Sequence, residues 1–438
     1  MPLAREDRLT GLLQFLRQSS TPFHAVANMA AQLEAAGFEQ LDSGDSWNLE
    51  SNSRYYVTRN DSAIIAFRTG SSDLAETGFR IAGAHTDSPC LKIKPHADVS
   101  SQGYAQLGVE VYGGALLHPW FDRDLSIAGR VNFQSKGGTL DSALIDLSDP
   151  VAFIPSLAIH LDRTANEGRL INKQQELPPI LLQLDADEMF SFENFLLEHL
   201  QTKLALAEAE TVLSHELVLY DTQEPALVGL RKQFICSARL DNLLSCYIGL
   251  HALIDSVGDE ASILVCNDHE EVGSVSASGA DGPFLKSVLQ RMIEAQGNAT
   301  DSGETVFDRA IQNSVMLSVD NAHGVHPNFA DRHDSEHTPK LNAGPVIKIN
   351  ANQRYASTSQ SIALVKSICN RLKISHQSFV MRSDMACGST IGPITSASLG
   401  ISTVDIGIAS FAMHSIRESA GVHDVEAMNG LIQAFFER

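Results

Sequence analysis

The stretch Ala261-Ser262-Ile263-Leu264-Val265-Cys266-Asn267, followed at once by Asp268-His269-Glu270-Glu271-Val272-Gly273, decides how this chain is read. Seven residues with a β-branched, apolar centre predict a strand buried on both faces, the kind found in the middle of a parallel sheet. Two adjacent carboxylates at the end of such a strand can divide the labour of metal hydrolysis: one ligates a cation while the other handles the proton of a water. Acidic pairs are also common in solvated loops, so the weight of the argument rests on recurrence elsewhere in the chain.

The pattern does recur. Phe79 to Ala84 leads into His85-Thr86-Asp87-Ser88-Pro89, and Ser314 to Val319 leads into Asp320-Asn321-Ala322-His323. Thr403 to Ile408 is followed closely by Met413-His414. Arg239-Leu240-Asp241-Asn242 stands just before a helical pattern of apolar residues, Leu243, Leu244, Tyr247, Ile248, Leu250, Leu253 and Ile254. In open α/β sheets the ligand site lies beyond the carboxyl ends of the strands, so residues far apart in sequence converge there. The expectation is one cleft holding five carboxylate and imidazole groups.

His85-Thr-Asp, Asp241-Asn, Glu270-Glu271, Val319-Asp-Asn-Ala-His323 and Ala412-Met-His-Ser-Ile-Arg-Glu418, in this order, resemble the signature segments of the aspartyl aminopeptidases, the M18 family of dinuclear zinc peptidases. The likeness extends to Gly344–Asn350, Gln353–Ala356 and Cys387–Pro393, nearly the whole chain, with no ligand position missing. It implies that His85, Asp241 and Asp320 hold one metal, that Asp241, Glu271 and His414 hold the other, and that Glu270 is the general base. It implies two divalent ions, zinc first with cobalt or manganese as alternatives. Imidazole and carboxylate donors without cysteine suit a hydrolytic centre better than a structural zinc. Asp87, two residues after His85, either orients that imidazole or caps the turn at Ser88-Pro89.

With 438 residues, 43% of them hydrophobic, the chain exceeds what one core organises, and two domains are expected. The fold class expected is α/β: a discontinuous α/β/α metallopeptidase domain (1–91 plus 235–438) interrupted by a β-rich dimerisation domain (92–234). Helices are predicted over Asp7 to Gln18 and Phe23 to Ala36, the second closed by Gly37, and over about Ala186 to Glu210. Strands are predicted over Arg54–Thr58 and Ala63–Phe67. Leu125–Phe133 and Thr139–Asp146 flank Lys136-Gly137-Gly138 and read as a hairpin. Resemblance implies dimer-built oligomers, up to dodecamers. Ser156 to Arg163 matches a segment whose histidine, here His160, reaches a neighbouring subunit's active site; the residues alone allow a polar group on a half-buried strand.

The N-terminal Met1-Pro-Leu-Ala-Arg lacks a signal peptide's apolar core, no apolar run is long enough to span a bilayer, and the six cysteines form no Cys-x-x-Cys. A cytoplasmic protein with no membrane partner is expected. A formal charge of −21 argues against nucleic-acid binding and raises a tension: a preference for peptides beginning with Asp or Glu must come from local cations. Lys348, Arg354, Arg382 and Arg417 are the candidates, Lys348 first, each with the alternative of an ordinary ion-pair partner. His323 is a candidate substrate contact. No nucleotide-binding glycine loop and no Gly-x-Ser-x-Gly elbow occur. Two other readings stay open: a dinuclear hydrolase of different amide specificity, and a metal-stabilised scaffold without turnover.

Overall fold

The computed structural model describes residues 5–296 and 303–438, so most of the N-terminal Met1-Pro-Leu-Ala-Arg segment lies outside the described residues. The chain divides into two units. The first comprises Met1–Ser88, Pro225–Met413 and Glu418–Arg438; the second comprises Pro89–Glu224 and His414–Arg417. Pro225–Phe234, which the sequence reading gave to the insertion, goes with the first unit because Ala226–Val228 pairs with Phe234–Ser237 in one of its sheets.

The first unit is built on a nine-stranded sheet. Its middle is the run Ala261–Asn267, Phe79–His85, Val315–Val319 and Ser402–Gly407, parallel to one another. Ala63–Arg68 and Arg54–Arg59 extend it on one side in antiparallel pairing. Val346–Ile349, antiparallel to Ser402–Gly407, and Gln377–Val380 complete the other. All seven residues of Ala261–Asn267 are buried, as a strand covered on both faces requires.

Helices cover both faces. Leu12, Met29, Leu253, Val365 and Phe435, from five helices, belong to one core cluster; Phe284, Leu289 and Ile391, from two others, belong to the opposite one. The helices begin and end on local signals. Pro22–Ala35 starts at Thr21, whose hydroxyl accepts the His24 N–H, and Gly37 follows its end with φ 83°. Arg8, on Arg5–Gln18, is buried between Asp255 (3.2 Å) and Glu426 (2.7 Å), which fastens the first helix to two others. A five-stranded sheet, ordered Ala226–Val228, Phe234–Ser237, Glu418–Gly421, Ala409–Phe411 and Ala322–His323, completes the unit.

The second unit is a six-stranded antiparallel sheet. Leu125–Ser135 and Leu140–Asp146 form the expected hairpin around Gly138, whose φ is 82°. The long helix expected from Ala186 to Glu210 is shorter. It spans Phe192–Thr202, capped by Ser191, because Ala209–Asp221 is taken up as a strand against Leu125–Ser135. Phe192, Leu196 and Leu200 pack onto the sheet, and so does Ile416, which explains why His414–Arg417 folds with this unit. Among the described residues no helix is long and apolar enough to cross a membrane.

Candidate metal centre

Three of the four parallel strands at the middle of the large sheet lead to candidate residues: Phe79–His85 to His85, Ala261–Asn267 to Glu270 and Glu271, and Val315–Val319 to Asp320. Asn267 pairs with His85 in register, which brings the loop after residue 267 beside the imidazole. The Asp320 amide donates to the Ile406 carbonyl at 2.9 Å, extending the pairing of the next two strands past Val319. This approach needs a glycine: a Cβ on Gly407 would lie 1.8 Å from the Asp320 carbonyl oxygen. Arg239, His269 and His414 are all left-handed, with φ of 60°, 62° and 67°. Non-glycine residues in that region cost on the order of 1 kcal/mol each, and Arg239 and His269 each stand two residues before a candidate ligand, Asp241 and Glu271, which fits strain retained at a functional site.

Donor atoms of His85, Asp241 and Asp320 lie within 4.8 Å of one another, and so do those of His85, Glu270 and Glu271. His85 Nδ1 is 3.1 Å from the Asp87 carbonyl, which can only accept, so Nδ1 carries the proton. Nε2 then faces Asp241 Oδ1 at 3.4 Å and Asp320 Oδ1 at 3.7 Å. A lone pair aimed at two carboxylates in a buried site is stable only with a positive charge between them. Burial opposes protonation of His85, but Asp241, Asp320 and Asp87 outweigh it and raise the pKa well above the usual range. A divalent cation can take the place of that proton. Asp320 Oδ1, buried and without a hydrogen-bond partner among the described residues, fits the same ion.

Carboxylate crowding marks the rest of the site. Burial pushes Glu270 up to about 7, with the charges of Asp320, Asp241 and Asp87 adding to it against His85. Glu271 is raised well above the usual carboxylate range, by burial first and then by Asp241. Asp320 goes the other way: burial would raise it, but Lys348 and His85 hold it low. Asp87 does more than the sequence suggested. Its Oδ1 accepts the Glu270 amide and its Oδ2 the Glu271 amide, both at 3.1 Å, while Oδ1 is 3.4 Å from His85 Nδ1. One buried carboxylate thus orients the imidazole and both glutamates.

Lys348 is buried, at 1% exposure, with its ammonium 3.0 Å from Asp320 Oδ2 and 3.2 Å from the Asn321 carbonyl, 5.1 Å from the Tyr355 ring centre. The candidate substrate cation is therefore also the partner of a candidate ligand. His323 packs edge-on to Phe379 and lines a cavity of ≈ 270 Å³ with Arg382. Arg382 is bound to Asp384 and the Asp331 carbonyl. Arg354 donates to the Cys387 carbonyl, and Arg417 to those of Gln223 and Glu224, so neither belongs to the ligand groups. In the second unit, His160 is exposed in a turn, which corrects the half-buried strand: Ala158 accepts the amides of Leu161 and Asp162, closing the chain on itself. His414 also belongs to that unit. Its Nδ1 donates to the Gly114 carbonyl at 3.2 Å, which leaves the lone pair on Nε2.

Sequence reasoning missed the groups that hold these residues. Ser88 donates to the Asp241 carbonyl at 2.6 Å, Asn242 to the Val319 carbonyl at 2.8 Å, and Cys246 to the His85 carbonyl at 3.0 Å. Asn242 adjoins the candidate ligand Asp241, and Ser88 adjoins Asp87. Cys246, on the helix Leu240–Asp255, gave no signal beyond an apolar setting.

The family model for aminopeptidase I zinc metalloproteases (M18) matches residues 15–436. The chain belongs to the M18 family. A probable M18 family aminopeptidase 2 of Ectopseudomonas mendocina (strain ymp) is 57% identical over 432 residues, 99% of this chain and 98% of that one. Among solved structures, a chain of the Ape4 and Nbr1 complex superposes with a TM-score of 0.92 at 38% identity, covering 100% of this chain and 87% of that chain. The mApe1 dodecamer of S. cerevisiae gives 0.84 at 30% identity, with 98% and 96% covered. This M18 chain is thus a metallo-aminopeptidase of α/β fold, and the family implies a divalent metal.

Proposed function

We propose that this M18 chain removes N-terminal Asp or Glu from peptides at a centre of two divalent cations, zinc by preference with cobalt or manganese as substitutes. His85, Asp241 and Asp320 hold one cation; Asp241, Glu271 and His414 hold the other. The observation that carries the dinuclear reading is His85 Nε2 facing two carboxylate oxygens beside two crowded glutamates. When bound, such cations lower the pKa of water from about 15.7 towards roughly 7 and polarise the scissile carbonyl.

The chain's own residues do the rest. Glu270, already pushed towards neutrality, takes the proton of the attacking water and returns it to the leaving amine. Asp87 fixes the backbone from which Glu270 and Glu271 project. For the substrate's acidic side chain, Lys348 supplies a buried ammonium, with His323 and Arg382, which line a cavity, as further contacts. A local cation answers the overall charge of −21, since a short-range contact can outweigh a screened field.

The second unit serves as the dimerisation domain of a cytoplasmic homo-oligomer, with the mApe1 dodecamer as the larger precedent. Leu157, Ile159 and Leu161 are 51%, 49% and 76% exposed around His160, an apolar turn suited to burial against a second copy, whose site His160 would then reach.

The test is a release assay over a panel of N-terminal residues, with and without chelator, on the wild type and Lys348→Met. Wild-type release should be chelator-sensitive and fastest for Asp and Glu. A desolvated charge-assisted contact is worth about 1.5–3 kcal/mol, so Lys348→Met should lose roughly ten- to hundredfold more kcat/KM on acidic than on neutral substrates. Equal losses would leave Lys348 as the partner of Asp320 alone and return the family's broader amide hydrolysis as the better reading.

A further inference from the structure

The bridging role proposed for Asp241 asks more of one side chain than any other, because its two oxygens must serve two cations at once. Its peptide is held on both sides. The Asp241 carbonyl accepts from the Ser88 hydroxyl at 2.6 Å, and its amide donates to Glu418 Oε2 at 2.8 Å. Asn242 then reaches the carbonyl of Val319, the residue before Asp320, at 2.8 Å. The ligand strand and the ligand helix are thereby locked to each other.

Glu418 is the unusual member of this set. It is a carboxylate at 1% exposure, in a site already crowded with acidic groups. Its position is fixed by sheet register: Glu418–Gly421 runs antiparallel to Phe234–Ser237 with Glu418 opposite Ser237, and the chain from Ser237 turns through left-handed Arg239 to reach Asp241. A neutral acceptor would satisfy one backbone N–H equally well in number. A buried carboxylate there is costly unless positive charge lies close by, and the proposed pair of cations would add such charge.

We propose that Glu418 is a positioning residue of the metal centre: by gripping the Asp241 amide it fixes the bridging carboxylate, and its charge adds to the retention of the cations. It does not touch substrate. The proposal rests on the dinuclear reading above and extends it to a residue outside the ligand set.

The experiment measures Zn²⁺ affinity directly, by competition with a chromophoric chelator, on the purified full chain. Wild type, Glu418→Gln and Glu418→Ala are compared, each with a denaturation curve of the metal-free protein. Gln keeps an acceptor for the Asp241 amide but removes the charge; Ala removes both. Outer partners of metal ligands typically change affinity by about ten- to hundredfold. Glu418→Gln should weaken Zn²⁺ binding by roughly tenfold with little change in the metal-free stability, and Glu418→Ala should weaken it further. Should Glu418→Ala fail to fold, the Gln variant alone decides. Wild-type affinity in Glu418→Gln overturns the charge role, and wild-type affinity in both variants overturns the proposal. A wild type that takes up no Zn²⁺ fails the dinuclear reading instead, so the two failures are told apart.

Discussion

Asp87→Asn separates the orientation of the imidazole from the orientation of the glutamates. In the wild type one carboxylate accepts two backbone amides, Glu270 on Oδ1 and Glu271 on Oδ2, each at 3.1 Å. An asparagine has one acceptor oxygen, so one of these amides must face an NH₂ group whichever way the side chain is turned. Losing a hydrogen bond to a charged acceptor costs about 1.5–3 kcal/mol. If the whole of it appears in the transition state, kcat falls by roughly ten- to 150-fold. His85 should suffer less, because its Nδ1 is nearer to the Asp87 main-chain carbonyl, at 3.1 Å, than to the carboxylate, at 3.4 Å, and the substitution leaves that carbonyl in place. The variant should therefore keep its metal while losing turnover. Steady-state kinetics on an aminoacyl chromogenic substrate, with elemental analysis of the same preparation, gives both readings. A kcat within twofold of wild type at full metal content would refute the argument, and so would loss of metal with unchanged turnover after reloading.

Glu270→Gln keeps the shape of the side chain but removes the base; the rate should fall by about 10²–10⁴ with metal retained, and near-normal turnover in a metal-replete sample would end the assignment. His85→Ala and His414→Ala should each lose one metal equivalent, whereas Asp241→Ala should deplete both; two equivalents retained in the Asp241 variant would contradict bridging. His251 tests a separate link to pH. Burial, with Arg8 adding to it, lowers its pKa from 6.5 to about 4. Its ring lies 4.3 Å from that of Tyr247. A histidine depressed in the folded state stabilises nothing by titrating: the unfolded chain takes up the proton first, so stability is lost as the pH falls from about 6.5 towards 4. That loss is roughly 2 kcal/mol at pH 5 relative to pH 8. His251→Phe removes it, so the difference in urea stability between wild type and variant should change by that amount between the two pH values. A difference independent of pH would exclude His251 as the cause.

The strand ends that carry the candidate ligands were legible because each element announces itself locally. Ala261–Asn267 is buried on both faces and reads so; His85 is the last residue of its strand, Asp320 follows its strand directly, and Glu270 comes after a turn of two residues. What was not legible depends on register between distant segments. Glu418 meets the amide of Asp241 across 177 positions, and Lys348 meets Asp320 across 28; neither spacing carries a periodic signal. The helix expected from Ala186 to Glu210 failed for a similar reason. Its last residues have enough helix propensity, but pairing of Ala209–Asp221 with Leu125–Ser135 offers a full ladder of backbone bonds and overrides it. For His160 the residues alone allowed a half-buried strand, whereas the amides of Leu161 and Asp162 bend back to Ala158.

The excursion of His414–Arg417 bears on how the protein can be taken apart. Between Ala409–Phe411 and Glu418–Gly421, two paired strands of the first unit, the chain leaves for four residues and seats Ile416 in the core of the second. A recombinant piece cut as 89–224 would thus carry an empty apolar berth. The complementary piece, joined across the cut, would present Ile416 to water and let go of the carbonyl of Gly114 that orients His414. Separate expression of the two halves should therefore yield proteins that stick to each other or to themselves until a peptide spanning 414–417 is restored to the right one.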